Sequence, residues 1–244
     1  MKRRPAEDLA PAAAVAADGL ARFDVVDAWV FDLDDTLYPT SAGLGPQIDM
    51  RITQWVADYL GVDGLSARAL QKHWYATHGT TLAGLVESHA IDPTDFLEFA
   101  HSIDRDGLAP DPALAAAISA LPGRRMILTN GSRAHAFETA RRLGLDGLFE
   151  DAYDIVALGC TPKHRPEGFA RFVAASGVVP ARAALFDDLP RNLATARAAG
   201  MATALVTAPG AAATEGESFD AVTSDLADLV SRIARRRSAR KSAA

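Results

Sequence analysis

The chain has 244 residues, 49% of them hydrophobic and 23% charged, with a net charge of −6. That suits one enzyme domain with a modest insertion, and the acidic balance gives no basis for a folded nucleic-acid-binding surface. No apolar run approaches the roughly 20 residues of a membrane span, and the single Cys160 excludes an intramolecular disulfide.

Residues 1–24 are rich in alanine with scattered charges and read as a loose N-terminal extension. Lys2-Arg3-Arg4 ahead of alanines resembles the start of a signal peptide. Glu7, Asp8 and Asp18 interrupt the apolar stretch, however, so a cytoplasmic location is expected, where a lone cysteine stays reduced. Ala28-Trp29-Val30-Phe31 is a short apolar run ending in acids, the pattern of a strand buried on both faces.

From Thr40 to Ala109 there are only helix signals. Pro46 opens a helix that stops at Gly61, Ser66 can cap another running toward Gly79, and Asp92-Pro93 starts a third. Beyond them, apolar runs at Arg125–Leu128, Ala183–Phe186 and Ala202–Val206 alternate with helical patterns. Those patterns run from Phe137 to Leu143, from Pro166 to near Gly177, and from Pro190 to Gly200. The alternation predicts a doubly wound, mostly parallel α/β sheet, a Rossmann-like core over residues 25–39 and 110–230. The helices of residues 40–109 form a cap inserted after the first strand, over the carboxyl ends of the strands. Residues 231–244, with Arg232 and Arg235-Arg236-Arg237, read as a solvated basic tail.

The chemistry concentrates where the apolar runs end. In Phe31-Asp32-Leu33-Asp34-Asp35-Thr36, three acids close a buried strand, which is costly unless a cation compensates them. Residues two apart in an extended chain point the same way, so Asp32 and Asp34 can converge. Asp32 could then attack phosphorus, while Asp34 protonates the leaving alkoxide and later activates water. A solvated acidic strand end is the alternative.

Thr129-Asn130-Gly131-Ser132 closes the next strand with donors suited to phosphate, or simply provides Ser132 as a helix N-cap. Lys163 precedes the helix opened by Pro166 and could pair with both nucleophile and phosphoryl group, although Arg165 and His164 stand beside it. Asp187-Asp188 ends a further strand with two more acids, suggesting the other half of a cation site; an N-cap role is the alternative for Asp188. Four strand ends in this order, each with the needed type of group, point together to phosphoryl chemistry.

These segments resemble the haloacid dehalogenase-like hydrolase superfamily from about Trp29 to Val206. Asp32-Leu33-Asp34-Asp35-Thr36 is similar to its first motif, Thr129-Asn130 to the second, Lys163 to the third and Asp187-Asp188 to the fourth. The resemblance implies a nucleophile at Asp32, an acid/base at Asp34, and phosphate contacts from Thr129, Asn130 and Lys163. It also implies Mg²⁺ held by the Asp32 carboxylate, the Asp34 backbone carbonyl and Asp188, with Asp187 contacting it directly or through water.

Within the superfamily the chain is most similar to the pyrimidine 5′-nucleotidase group. That likeness rests on Asp35, where many relatives carry glycine, on the cap segment Trp74 to Leu85, and on Asp188-Leu189-Pro190-Arg191-Asn192. His164 stands where relatives usually have proline. The expected partner is a small phosphorylated metabolite, a nucleoside monophosphate first, with no nucleic-acid polymer and no membrane.

His78, beside Gly79 and two threonines, is the cap candidate for base or ribose recognition. Cys160 reads as a structural thiol rather than a nucleophile. A phosphatase for a sugar phosphate or phosphoglycolate, a dehalogenase acting on carbon, and a non-enzymatic protein that kept the fold are the competing functions. Asp34 argues against the dehalogenase, because a halide leaves without a proton.

Overall fold

The computed structural model describes residues 19–211 and 219–242. Its centre is a six-stranded, all-parallel sheet made of β1 (Ala28–Phe31), β2 (Arg124–Leu128), β3 (Asp151–Tyr153), β4 (Ala183–Asp187), β5 (Ala202–Val206) and β6 (Ala221–Thr223). The strand order is β3-β2-β1-β4-β5-β6. The chain builds outward from β1 to β3, then returns to the far side of β1 and builds the other way. That reversal opens a crevice at the carboxyl ends of β1 and β4, where doubly wound sheets bind ligands.

Helices cover both faces, so β1 is apolar throughout and β4 is apolar up to its last residue, Asp187. Alternate side chains serve opposite sides: Trp29, Phe31 and Ile127 enter one core, while Val30, Met126 and Leu128 enter the other. The first core is closed by α5 (Pro112–Ser119), α6 (Arg133–Arg142) and α9 (Leu226–Ser242). The second is closed by α7 (Pro166–Ser176) and α8 (Pro190–Ala198). The Phe31 and Phe186 rings stack at 4.7 Å across the β1–β4 seam.

Four α-helices, not three, fill residues 40–109 after β1: α1 (Leu44–Leu60), α2 (Gly64–His78), α3 (Thr81–His89) and α4 (Pro93–Ala100). Their own apolar cluster includes Val56, Trp74, Leu85 and Phe96. The extra helix arises at Gly79, whose φ of 88° ends α2, and at extended Thr80, whose hydroxyl accepts the Ala83 N–H to start α3. α2 is capped by Asp63 rather than Ser66, because the Asp63 carboxylate accepts the Leu65 and Ser66 N–H groups.

Both ends of the described chain depart from what the sequence suggests. Gly19–Val25 forms a 3₁₀ turn that buries Leu20 and Phe23, so the loose extension is anchored before residue 24. Residues 1–18 of that extension lie outside the described residues. The expected basic tail is the second half of α9, because Leu226, Leu229, Val230, Ile233 and Ala234 form one apolar stripe against the core. Its arginines are partly engaged: Arg236 grips Asp24 through two bonds of 2.7 Å. Among the described residues no helix is long and apolar enough to cross a membrane.

Candidate active site

The strand ends converge as the spacing requires. Asp32 follows β1 directly, and its backbone N–H donates to the Phe186 carbonyl at 2.9 Å, continuing the β1–β4 register to place it beside Asp187. Lys163, from the loop before α7, reaches between them. Its Nζ lies 2.5 Å from Asp32 Oδ1 and 2.7 Å from Asp187 Oδ2, and donates to the Leu128 carbonyl at 3.1 Å. Burial alone would lower the Lys163 pKa, but the two carboxylates outweigh it and hold the ammonium charged. Asp187 Oδ1 is fixed by the Leu189 N–H at 2.9 Å and the Asn192 amide at 2.7 Å.

Asp32, Asp187 and Asp188 offer oxygens within 4.8 Å of one another. Three carboxylates therefore face one ammonium. Burial raises the Asp32 pKa well above the usual carboxylate range despite Lys163, with Asp187 and Asp188 adding like-charge repulsion. Burial and Asp187 likewise push Asp188 up to about 7. A cluster of hard oxygen donors with excess negative charge fits a divalent cation such as Mg²⁺.

Asn130 and Thr129, the expected phosphate contacts, are oriented through their spare valences. The Asn130 side-chain oxygen accepts the Lys163 backbone N–H at 3.0 Å, which leaves its NH₂ toward the cleft. The Thr129 hydroxyl oxygen accepts the Gly131 N–H at 2.9 Å, leaving its own proton to donate. Ser132 caps α6 by accepting the His135 N–H at 3.2 Å, the plainer role that its place in the sequence suggests.

Asp34 sits in a tight turn and lines the cleft. Its Oδ1 accepts from the Tyr38 hydroxyl at 2.5 Å and contacts His135 Nε2 at 2.9 Å. Burial would raise its pKa, but these hydrogen bonds prevail and hold it at about 2. Neighbouring Asp35 takes a φ of 60°, a conformation glycine adopts most easily and aspartate tolerates.

Above these groups lies a cleft of about 600 Å³ between cap and sheet. Asp34, Asn130 and Gly131 line its floor, and Ile48, Ile52, Tyr75, Leu82 and Phe96 line the cap side. Arg191 of α8 reaches across to donate to the Tyr75 hydroxyl at 2.6 Å, tying the cap to the core.

Of the residues singled out from the sequence, Asp32, Asp34, Thr129, Asn130, Lys163, Asp187 and Asp188 gather around this crevice. His78 does not. It lines a separate depression beside Cys160 and Arg165, where Nε2 lies 3.6 Å from Glu87. Burial pushes the Cys160 thiol up, the opposite of what a nucleophile needs. Sequence reasoning missed Tyr38, His101, Arg105 and His135. The available signals were the i+4 spacing of Tyr38 from Asp34 and the place of His135 in the first turn of α6.

A family model described as haloacid dehalogenase-like hydrolase matches residues 26–200. The chain belongs to this family of hydrolases. A curated yeast relative, phosphate metabolism protein 8 of Saccharomyces cerevisiae, is 27% identical over 132 residues, spanning 49% of this chain and 40% of that protein. The matched part of the chain thus spans less than half the length of that relative.

Among solved structures, the hydrolase is similar to a phosphatase of the same family from Thermococcus onnurineus. That match has a TM-score of 0.57 at 17% identity, covering 84% of this chain and 96% of the other. It is also similar to the 2-haloacid dehalogenase of Pseudomonas syringae, with a TM-score of 0.56 at 21% identity, covering 86% and 99%. At such identities these neighbours share the fold with the hydrolase and do not choose between the two chemistries.

Proposed function

We propose that this hydrolase is a Mg²⁺-dependent phosphomonoesterase that works through a phospho-aspartate on Asp32, with a pyrimidine nucleoside monophosphate as substrate. The observation that carries the reading is the charge arrangement: Asp32 held by Lys163, with Asp187 and Asp188 in excess, beneath a cleft that Asp34 lines.

Bound at Asp32 and Asp188, with Asp187 beside it and the Asp34 carbonyl as the resemblance implies, Mg²⁺ would neutralise charge on the transferring phosphoryl group. Lys163, the Asn130 NH₂ and the Thr129 hydroxyl take up the remaining phosphate oxygens and orient the phosphorus toward the Asp32 carboxylate. Asp32 displaces the alkoxide, which takes a proton from Asp34; Asp34 then removes a proton from the water that attacks the aspartyl phosphate. Asp34 is ionised in the free site, so the proton it gives is first taken from the substrate's phosphate monoanion or from solvent, and the incoming phosphate charge would raise its affinity for that proton.

A halide needs no proton, so a carboxylate placed at the cleft by Asp34 supports phosphate over carbon–halogen chemistry. The name of the yeast relative, which refers to phosphate metabolism, points the same way. The apolar and aromatic cap wall suits a leaving group with a flat apolar face better than a bare sugar.

The test is phosphate release from UMP, CMP, AMP, GMP, sugar phosphates and phosphoglycolate, with and without Mg²⁺. Pyrimidine nucleotides should show the highest kcat/KM, and Asp32→Asn should abolish turnover while the protein stays folded. Purines or sugar phosphates turned over as well as pyrimidines would remove the nucleotidase assignment. Absence of any monoesterase activity would remove the phosphatase reading.

A further inference from the structure

The contacts of Asp34 continue inward. His135 is fully buried in the first turn of α6, with its Nε2 on Asp34 Oδ1 and its Nδ1 3.0 Å from the Arg105 guanidinium. A guanidinium has only donors to offer, so Nδ1 must be the acceptor and the ring proton must lie on Nε2. The ring therefore donates to Asp34, and a second proton on Nδ1 would set two N–H groups against each other.

Arg105 is itself anchored, donating to the carbonyls of Ile103 at 3.2 Å and His101 at 3.1 Å. His101 stacks flat on His135, with ring centroids 4.3 Å apart and planes 9° apart, and its Nδ1 lies 3.1 Å from the Ser132 hydroxyl. The stack clamps the His135 ring plane, and the guanidinium fixes its tautomer. Both the Tyr38 and His135 bonds fall on Oδ1, so the other oxygen of Asp34 is the one left to the cleft.

We propose that His135, its tautomer fixed by Arg105, is the positioning residue for Asp34, turning one carboxylate oxygen inward so that the other meets the leaving group. The inference rests on the phosphatase reading for its consequence in turnover, and on geometry alone for the hydrogen-bond direction. The segment that carries Arg105 and His101 returns from the cap, so the cap helps aim the acid/base in the core.

The experiment compares His135→Phe, which keeps a flat ring but loses the donor, with His135→Gln, whose amide nitrogen can reach the place of Nε2. Circular dichroism checks that each variant folds. On a nucleoside monophosphate, His135→Phe should lose roughly 10- to 100-fold in kcat, a share of what acid–base catalysis supplies, with KM little changed. On an aryl phosphate, whose leaving group hardly needs a proton, the loss should be several-fold smaller, and His135→Gln should recover most activity on both.

Equal losses on the two substrates, or Gln no better than Phe, would overturn the proposal. ¹⁵N NMR of the His135 ring in the wild-type protein gives a readout independent of turnover. A pyridine-type Nδ1 and a protonated Nε2 support the proposal, and a protonated Nδ1 overturns it. If the wild type hydrolyses no phosphomonoester the phosphatase reading falls, and the ring tautomer alone decides on the positioning of Asp34.

Discussion

Asp188 lies beside Asp187 at the end of β4, and its pKa of about 7 means that folding makes its ionisation harder than in the unfolded chain, where it titrates near 3.8. Between about pH 4 and 7 the unfolded chain releases this proton while the folded one keeps it, so folding stability falls as the pH rises through that window. Asp188→Asn removes the burden. In chelator, the variant should therefore melt higher than the wild type by a margin that grows from pH 4.5 to 7.5, on the order of 5 °C at the upper end. Mg²⁺ should shrink that margin by supplying the missing charge to the wild type. A margin independent of pH would contradict the cluster electrostatics.

Asp188 was legible in the sequence because it ends an apolar run, as do Asp32, Thr129 and Asn130, and strand ends meet at one edge of a parallel sheet. His135 was not, because it sits inside a helix and acquires its role only by facing Asp34, 101 positions away in the chain. His78 misled for the converse reason. Its glycine and threonine neighbours resemble a binding loop, but they are the break between α2 and α3, and the ring turns to Glu87.

At the scale of elements, Gly84 sets how closely α3 can lie on α2. A methyl group there would fall 2.3 Å from Trp74 Cδ1 and 2.6 Å from its Cβ. Gly84→Ala should thus destabilise the protein by about 1–3 kcal/mol, although alanine favours helix by up to about 1 kcal/mol. Urea unfolding would measure the loss. Since Thr81 and Leu82 of α3 line the cleft, kcat/KM should fall with it. A variant as stable as the wild type would mean that Trp74 swings aside freely. The helix α9 shows why composition misleads at this scale. Its arginines dominate the count, but its apolar residues recur at i, i+3, i+4, i+7 and i+8, and that stripe decides that it packs.

Over the whole molecule, the central strands and their order of use were readable, because a strand covered on both faces needs an unbroken apolar run. The edge strands β3 and β6 were not, since three residues each leave too little pattern to separate from a loop. What holds the centre together is also what we propose performs the chemistry. The Lys163 ammonium touches oxygens at the ends of β1, β2 and β4 at once, so its contacts complete only after all three strands lie side by side. Interactions that form after the folding barrier act on the rate of escape from the native state rather than on the rate of reaching it. Lys163→Met, in the absence of divalent cations, would strand two buried carboxylates. In stopped-flow chevrons it should then steepen the loss of the native state, with unfolding roughly 100-fold faster and refolding little changed. A slowed refolding limb would instead place the ammonium in the folding nucleus. The same lysine that we propose steadies a phosphoryl group is, in kinetic terms, a latch on the lifetime of the fold.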